Sequence, residues 1–195
     1  MQHKLHWLPE EVSMAEDIKD WQQKLTTGEK NLLTQIFRFF TAGDIEVAKA
    51  YNTKYIPMFG GNPEVAMMLN AFAGMEGIHV AAYSHLMDTL GLPEVEYKAF
   101  LEFEAMRDKY EYTDSFKTSD DPKDIAKNLA VYSAFTEGLQ LFSSFAILLN
   151  FSRFNRMKGM CQIVTYSVRD ESLHVDYMIK LFRQFIKENR SIWTD

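Results

Sequence analysis

Apolar residues recur at helical spacing over long stretches of this chain, and no stretch sustains the alternation of apolar and polar residues that a β-strand would show. Capping and turn residues divide this pattern into six predicted helices. The first begins near Met14, where Ser13 and Glu16 form a capping-box pattern. The others cover about residues 29–55, 63–90, 94–110, 123–153 and 159–188. Residues 1–12 are predicted to form an irregular arm.

Several helix ends carry specific signals. Asn62 and Pro63 make an N-cap and first-turn pair, and Gly91 with Pro93 closes the helix that follows. Helices of 25 or more residues without a transmembrane signature are typical of bundles. The sequence therefore predicts a single all-α domain over residues 1–195, built as a four-helix bundle with additional helices.

Composition and charge narrow the class of protein. The chain has 195 residues, of which 47% are hydrophobic, enough for one domain with a sizeable core. The net charge of −6 and the dispersed lysines and arginines argue against a nucleic-acid surface. The chain has no uninterrupted run of about 18 apolar residues, so the sequence predicts no membrane-spanning helix. The single cysteine, Cys161, cannot form an internal disulfide, so we expect a cytoplasmic protein with a small, buried Cys161.

Two segments share the pattern Glu-x-x-His, namely Glu76 to His79 and Glu171 to His174. Residues three apart on a helix lie on the same face, so a carboxylate and an imidazole can converge on one metal ion. One such pair is weak evidence of a site, because a Glu or His on an apolar helix face is more often a paired structural residue. Both pairs here have apolar neighbours, where an unpaired charge is costly.

The other two long helices each offer an acid in similar apolar surroundings. Asp44 follows an aromatic segment, with Glu46 as a competing candidate on the same helix, and Glu137 lies within Ala134–Leu139. In chain order the four helices supply an acid, an acid with a histidine, an acid, and an acid with a histidine. This order is the one known for ferritin-like di-iron and di-manganese bundles. It predicts a dinuclear iron or manganese site in the bundle core.

Four motifs, in order along nearly the whole chain, resemble the small subunit of class I ribonucleotide reductase. Residues 167–174, Ser-Val-Arg-Asp-Glu-Ser-Leu-His, match its Arg-Asp-Glu-x-x-His signature. Residues 76–83 match its Glu-x-x-His-x-x-x-Tyr segment, and residues 6–12 match its Trp-x-Pro-Glu-Glu element. Residues 39–44 resemble the segment that carries its first carboxylate ligand.

The resemblance implies roles for particular residues. Six would be the metal ligands: Asp44, Glu76, His79, Glu137, Glu171 and His174. Tyr83 would be the position of the stable tyrosyl radical in members that use one. Trp7 and Asp170 would join His79 in the route that carries the radical toward the large subunit. Leu141 and Phe145, at helical spacing after Glu137, would wall the site with apolar surface.

The family resemblance also implies an activity and partners. Oxygen or a reduced oxygen species would oxidise the metal pair, and the oxidant would pass to a large subunit that reduces ribonucleotides. A homodimer is expected. Residues 6–12 and 37–41 look somewhat like a manganese-using subgroup that keeps its oxidant on the metals, in which case Tyr83 would stay unoxidised. Family members usually continue further, so this sequence is a compact form, one half of a split subunit, or a shortened chain.

Two other functions are compatible with a bundle of this kind. A stand-alone ferritin-like di-metal oxidase would act on a small molecule and would not need Trp7. A metal-storage or structural bundle would hold many metals per chain, or none. Metal stoichiometry and the role of Trp7 distinguish the three interpretations.

Overall fold

The computed structural model of the protein describes residues 2–92, 99–115 and 119–193. Within these ranges the chain is helical and contains no β-strand, so the all-α prediction is confirmed. The α-helices are α1 (Ala15–Gln23), α2 (Thr27–Ala50), α3 (Ile56–Phe59), α4 (Pro63–Thr89), α5 (Glu104–Asp114), α6 (Pro122–Ala130), α7 (Leu141–Leu149) and α8 (Lys158–Glu188). Short 3₁₀ turns lie at Gln2–Lys4, Pro9–Glu11, Ala99–Glu102, Asn150–Phe154 and Arg190–Ile192.

Two segments wind as π-helix, with wider turns than an α-helix. Tyr51–Tyr55 connects α2 to α3, and Val131–Gln140 connects α6 to α7. The segment predicted as one helix over residues 123–153 is therefore continuously helical, but residues 131–140 wind as π-helix and not as α-helix. Such segments are frequent at functional sites because they change the direction in which side chains point.

The long helices pack as a four-helix bundle. Helix α2 packs on α4, while α6, the Val131–Gln140 segment and α7 pack on α8, and contacts of α4 with α8 and of α2 with α7 join the two pairs. The described residues form two apolar clusters in the interior. The Phe40 cluster includes Trp7, Phe40, Tyr83, Leu141 and Phe145. The Phe72 cluster includes Val47, Tyr51, Tyr55, Phe72, Tyr132 and Met178.

The predicted capping box at the first helix is wrong. Helix α1 does begin at Ala15, but its N-cap is Met14, with no side-chain hydrogen bond to the helix end. The capping box lies at α2 instead. There the Thr26 hydroxyl accepts from the Glu29 backbone N–H at 3.2 Å, and the Glu29 carboxylate accepts from the Thr26 N–H at 2.8 Å. Both segments fit the Ser/Thr-x-x-Glu pattern, and the pattern alone cannot tell which one has the geometry.

The predicted helix over residues 94–110 is also misplaced. The described part of this region has a 3₁₀ turn at Ala99–Glu102 and then α5, which begins at Glu104 and continues to Asp114. Residues 94–98 lie outside the described ranges. A helical pattern rich in Glu does not by itself show at which residue the helix begins.

Helix α4 matches its prediction closely. The Asn62 side chain accepts from the Val65 N–H at 3.1 Å, and Gly91 takes the left-handed conformation with φ of 72° just beyond the last turn. Among the described residues, α4 is also the one helix that is long and apolar enough to cross a membrane, judged by length and composition only. It carries buried residues of the bundle interior, including Glu76 and His79.

The N-terminus of α8 is capped by acids from α1 rather than by its own sequence. Asp17 is fully buried and accepts from the backbone N–H groups of Gly159 and Met160, both at 2.8 Å. Asp20 accepts from the Met157 N–H at 2.9 Å. Gly159 is required here, because a Cβ atom would lie 2.6 Å from the Ser13 carbonyl oxygen. Two carboxylates thus satisfy the free donors and the positive end of the helix dipole.

We expect Asp17→Ala to lower the free energy of unfolding by about 2–3 kcal/mol, because it removes a buried charged cap that makes two hydrogen bonds. The control is Glu16→Ala. The exposed Glu16 carboxylate pairs with Lys158 at 3.1 Å, so its removal should lower the free energy of unfolding by less than about 1 kcal/mol. Urea unfolding of both variants measures the difference. Equal midpoints for the two variants would show that the Asp17 cap contributes no stability.

Candidate metal centre

The four predicted acids lie at the boundary between the two apolar clusters. Asp44 is on α2, Glu76 on α4, Glu137 in the Val131–Gln140 π-helical segment and Glu171 on α8. Each is at most 2% exposed. Along α2, for example, Asp44 lies between Phe40 of one cluster and Val47 of the other. The bundle therefore encloses a small polar site within an apolar interior.

The acids and histidines converge as two groups that share one residue. Oxygen and nitrogen atoms of Asp44, Glu76 and His79 lie within 4.8 Å of one another, and so do those of Glu76, Glu137, Glu171 and His174. The sequence named six candidate ligands without dividing them between two metal positions, and the structure brings all six together with Glu76 in both groups.

Glu76 and Glu171 each reach both histidines. The Glu76 oxygens lie 2.9 Å from Nδ1 of His174 and 3.6 Å from Nδ1 of His79. The Glu171 oxygens lie 3.1 Å from Nδ1 of His79 and 3.3 Å from Nδ1 of His174. Each of these two carboxylates therefore contacts both histidines across the site.

The far side of the His79 ring is held by Asp170. Its Nε2 lies 3.3 Å from Oδ2 of Asp170, and the same oxygen accepts from the Trp7 indole N–H at 2.9 Å. Arg169 holds the other Asp170 oxygen at 3.1 Å and also donates to the Leu5 carbonyl, which fixes the N-terminal arm on the bundle. The predicted contact between Trp7, Asp170 and His79 is therefore present.

Burial and mutual repulsion make the carboxylates of this site hard to ionise together. Burial, and then the charge of Glu76, raises the pKa of Asp44 well above its usual value. Burial and the charge of Glu171 do the same to the pKa of Glu137. Burial alone would lower the pKa of His174, but Glu171 and Glu76 raise that pKa to about 10. A cluster of this kind has a deficit of positive charge, which divalent cations would supply.

Several buried polar atoms of the site have no hydrogen bond within the described part of the chain. They are Oε1 and Oε2 of Glu76, Oε2 of Glu137, Oε2 of Glu171, and Nδ1 and Nε2 of His174. Some of these atoms have ion-pair contacts, but leaving buried polar atoms without a hydrogen bond in an apolar interior is costly. Oxygen atoms with imidazole nitrogen are the donors that iron and manganese take. The residues present therefore fit a pair of such ions.

Tyr83 lies beside the site in the Phe40 cluster. Its hydroxyl donates to Oγ of Ser167 at 3.0 Å, and its ring stacks on Phe40 with centroids 5.0 Å apart. Burial, followed by the charge of Asp44, raises the pKa of the Tyr83 hydroxyl. Leu141 and Phe145 are also buried in this cluster, where Phe145 packs on Phe40.

The structure separates Asp44 from its competitor. Glu46 points away from the site and pairs with Lys49 at 3.2 Å on a partly exposed face of α2. Cys161 is buried, as expected for a small core side chain.

Tyr51 is a site residue that the sequence reasoning missed. Its hydroxyl donates to Oε1 of Glu137 at 2.5 Å, and its side chain is 1% exposed. The spacing did contain a signal, because Tyr51 follows Asp44 by seven residues, which is two helical turns on one face.

Comparison with known proteins assigns the chain to a family. The family profile for the ribonucleotide reductase small chain matches residues 1–195. A relative of Invertebrate iridescent virus 6, named a probable ribonucleoside-diphosphate reductase small subunit, is 49% identical over 96% of this chain and 56% of its own length. The ribonucleoside-diphosphate reductase subunit beta of Chlamydia pneumoniae is 29% identical over 97% of this chain and 58% of its own.

A solved structure has the same fold. The R2-like ligand-binding oxidase of Sulfolobus acidocaldarius superposes with a TM-score of 0.86 and 26% identity, over 96% of this chain and 71% of that one. The chain spans a little over half the length of the curated relatives it matches. The profile match over the whole sequence, together with the ordered acids and histidines, leads to one conclusion: the chain belongs to the ribonucleotide reductase small-chain family.

Proposed function

We propose that this chain acts as the small subunit of a class I ribonucleotide reductase. It holds two iron or manganese ions and generates the oxidant that a large subunit uses to reduce ribonucleotides to deoxyribonucleotides. The observation that carries the proposal is the hydrogen-bonded series from the buried His79 through Asp170 to Trp7, because it joins the site to the N-terminal arm. A site that acts alone has no need of such a connection.

Each residue has a definite task in this proposal. Asp44 and His79 would hold one ion, Glu137, Glu171 and His174 would hold the other, and Glu76, which belongs to both groups, would contribute to both positions. When Nε2 of His79 carries its proton toward Asp170, Nδ1 is left with a lone pair for a metal. The bound metals supply one-electron redox chemistry with oxygen or a reduced oxygen species, and the apolar clusters on both sides exclude water.

The partners follow from the same proposal. The large ribonucleotide reductase subunit is the functional partner, and we expect a cytoplasmic homodimer with no role in binding nucleic acid or a membrane. Large apolar side chains exposed on the bundle could contribute to subunit contacts, among them Phe135 at 59%, Leu139 at 65% and Met67 at 71% exposure. Sedimentation at micromolar concentration tests the dimer, and a monomer would contradict it.

A stand-alone di-metal oxidase is the second candidate. The likeness to the R2-like ligand-binding oxidase favours it, because that protein shares the fold at 26% identity. The two proposals differ in whether turnover requires a large subunit and Trp7. A storage bundle would differ from both in taking up many ions per chain.

The test of the metal centre is metal analysis, with electron paramagnetic resonance, of protein loaded with Fe²⁺ or Mn²⁺ and exposed to oxygen. We expect two metals per chain. Asp44→Ala should lose one of them, since it removes a ligand from one group only, whereas Glu46→Ala should keep both because Glu46 faces Lys49. A wild-type stoichiometry near one, or equal loss in the two variants, would contradict the assignment.

Tyr83→Phe tests where the oxidant resides. The change removes only the hydroxyl that donates to Ser167 and leaves every proposed ligand in place. If the protein uses a tyrosyl radical, the variant should lose that resonance signal completely while it still binds two metals. A wild-type protein with an oxidised metal signal and no tyrosyl signal would favour the metal-centred alternative.

A further inference from the structure

We infer that Tyr51 is a positioning residue that holds Glu137 so that only one of its two carboxylate oxygens is free for a metal ion. The inference rests on the proposed metal centre, and it concerns a residue outside the six proposed ligands. It assigns different environments to the two metal positions, because Tyr51 bonds to Glu137 and, within the part of the chain that the structure describes, to no acid of the Asp44 group.

The contact itself is short and enclosed. The Tyr51 hydroxyl lies 2.5 Å from Oε1 of Glu137, and each side chain is 1% exposed. A phenol that donates to a carboxyl oxygen in an apolar interior makes a hydrogen bond that is costly to break. The other oxygen, Oε2, has no hydrogen bond within the described residues, and a carboxylate oxygen of Glu137 converges with atoms of Glu76, Glu171 and His174. One oxygen is thus committed to Tyr51, and the other makes no hydrogen bond that would keep it from a metal ion.

Surrounding residues hold the phenol in place. The Tyr51 ring packs edge-on against Phe72 at 6.0 Å and against the His174 ring at 6.4 Å. These two rings restrict rotation of the phenol away from Glu137.

The backbone explains how the two side chains meet. Tyr51 is the first residue of one π-helical segment, and Glu137 lies within the other. Phe135 and Leu139, two residues to either side of Glu137, are more than half exposed while Glu137 itself is buried. The local winding thus directs an acid inward between two outward apolar residues and toward the Tyr51 hydroxyl.

Tyr51→Phe tests the inference, with Tyr55→Phe as the matched control. Tyr55 is equally buried in the same π-helical segment, but its hydroxyl donates to the Asn128 backbone carbonyl at 3.1 Å and not to an acid. Binding of Mn²⁺ to the apoprotein is monitored through the electron paramagnetic resonance signal of the free ion. We expect Tyr51→Phe to weaken one of the two Mn²⁺ sites by about 10-fold or more and to leave the other unchanged, as for loss of a group that orients a ligand. Tyr55→Phe should bind both ions as wild type does.

The outcomes are distinguishable. If wild type binds two Mn²⁺ and Tyr51→Phe binds both with wild-type affinity, or if Tyr55→Phe weakens binding equally, the inference is wrong while the metal centre stands. If wild type binds fewer than two, the metal centre itself fails. A second measurement guards against a folding defect. In a Glu137→Ala background, Tyr51→Phe should cause no further loss of Mn²⁺ affinity, whereas a general loss of structure would add to it.

Discussion

Replacing Glu76 with alanine should abolish the binding of both metal ions. Its two oxygens face the Nδ1 atoms of different histidines, at 2.9 Å for His174 and 3.6 Å for His79, and it alone belongs to both ligand groups. Removing a bridging carboxylate takes one donor from each position and also the negative charge that both cations share. We expect each Mn²⁺ affinity to fall by more than about 100-fold, beyond the effect of losing an orienting group.

The control for this change is Glu64→Ala, an acid in the first turn of the same helix. It should bind two ions as wild type does. Titration of the apoproteins with Mn²⁺ measures both variants, and urea unfolding without metal shows whether each is folded. Retention of even one ion at wild-type affinity by Glu76→Ala would show that Glu76 does not bridge.

Trp7→Phe should leave metal loading nearly unchanged and remove ribonucleotide reduction in the presence of the large subunit. The indole N–H donates to Asp170, whose same oxygen faces His79, so phenylalanine keeps the packing and removes the link. We expect turnover to fall on the order of 100-fold or more, as when a positioned proton-carrying group is lost from a reaction. The proposed ligand nearest to the Trp7 ring is His79, and the centroids of the two rings are 6.3 Å apart.

Two comparisons make the Trp7 result specific. Trp21→Phe changes a tryptophan that is packed on the Phe40 cluster away from the acids, and it should keep full turnover. Asp170→Asn should act like Trp7→Phe but also weaken metal binding by about 10-fold, because Asp170 orients His79. Full reductase turnover in Trp7→Phe would refute the proposed route. If no large subunit ever supports turnover, the stand-alone oxidase becomes the better assignment.

The bundle and its buried cluster of acids and histidines were predictable because each depends on local spacing. Glu-x-x-His places two donors on one face of any helix, and two such pairs plus Asp44 and Glu137 define four helices in a fixed order. Asn62 and Gly91 mark the ends of α4 by interactions within a few residues. Features of this kind depend little on the rest of the fold.

The π-helical segments could not be predicted in the same way. No residue between Val131 and Gln140 requires a wider turn, and the apolar Phe135 and Leu139 would be placed inside by composition, although both are exposed. Burial of Glu137 is decided by its partners in the bundle, such as Tyr51. Tertiary contacts therefore override local preference at this position.

The cap on α8 shows a different limit. Met157 precedes the helix with no capping side chain of its own, and the acids that replace a cap come from α1. Asp17 and Gly159 are 142 residues apart, so no local pattern connects them. Ser13 misled the prediction because it fits a capping motif that the chain does not use.

Several contacts fasten the N-terminal arm and α1 to α8, and they link parts of the chain that are synthesised far apart in time. Trp7 and Asp170 are 163 residues apart, and Asp17 and Gly159 nearly as far. The ribosome delivers α2 and α4 first, with Asp44 and Glu76 still lacking Glu171 and His174, and burying such unpaired carboxylates is costly. The bundle should therefore close late, after α8 has emerged, in a step slowed by long-range contacts. A nascent chain would have to keep α2 and α4 open to water until then, so the proposed metal centre would be loaded after translation.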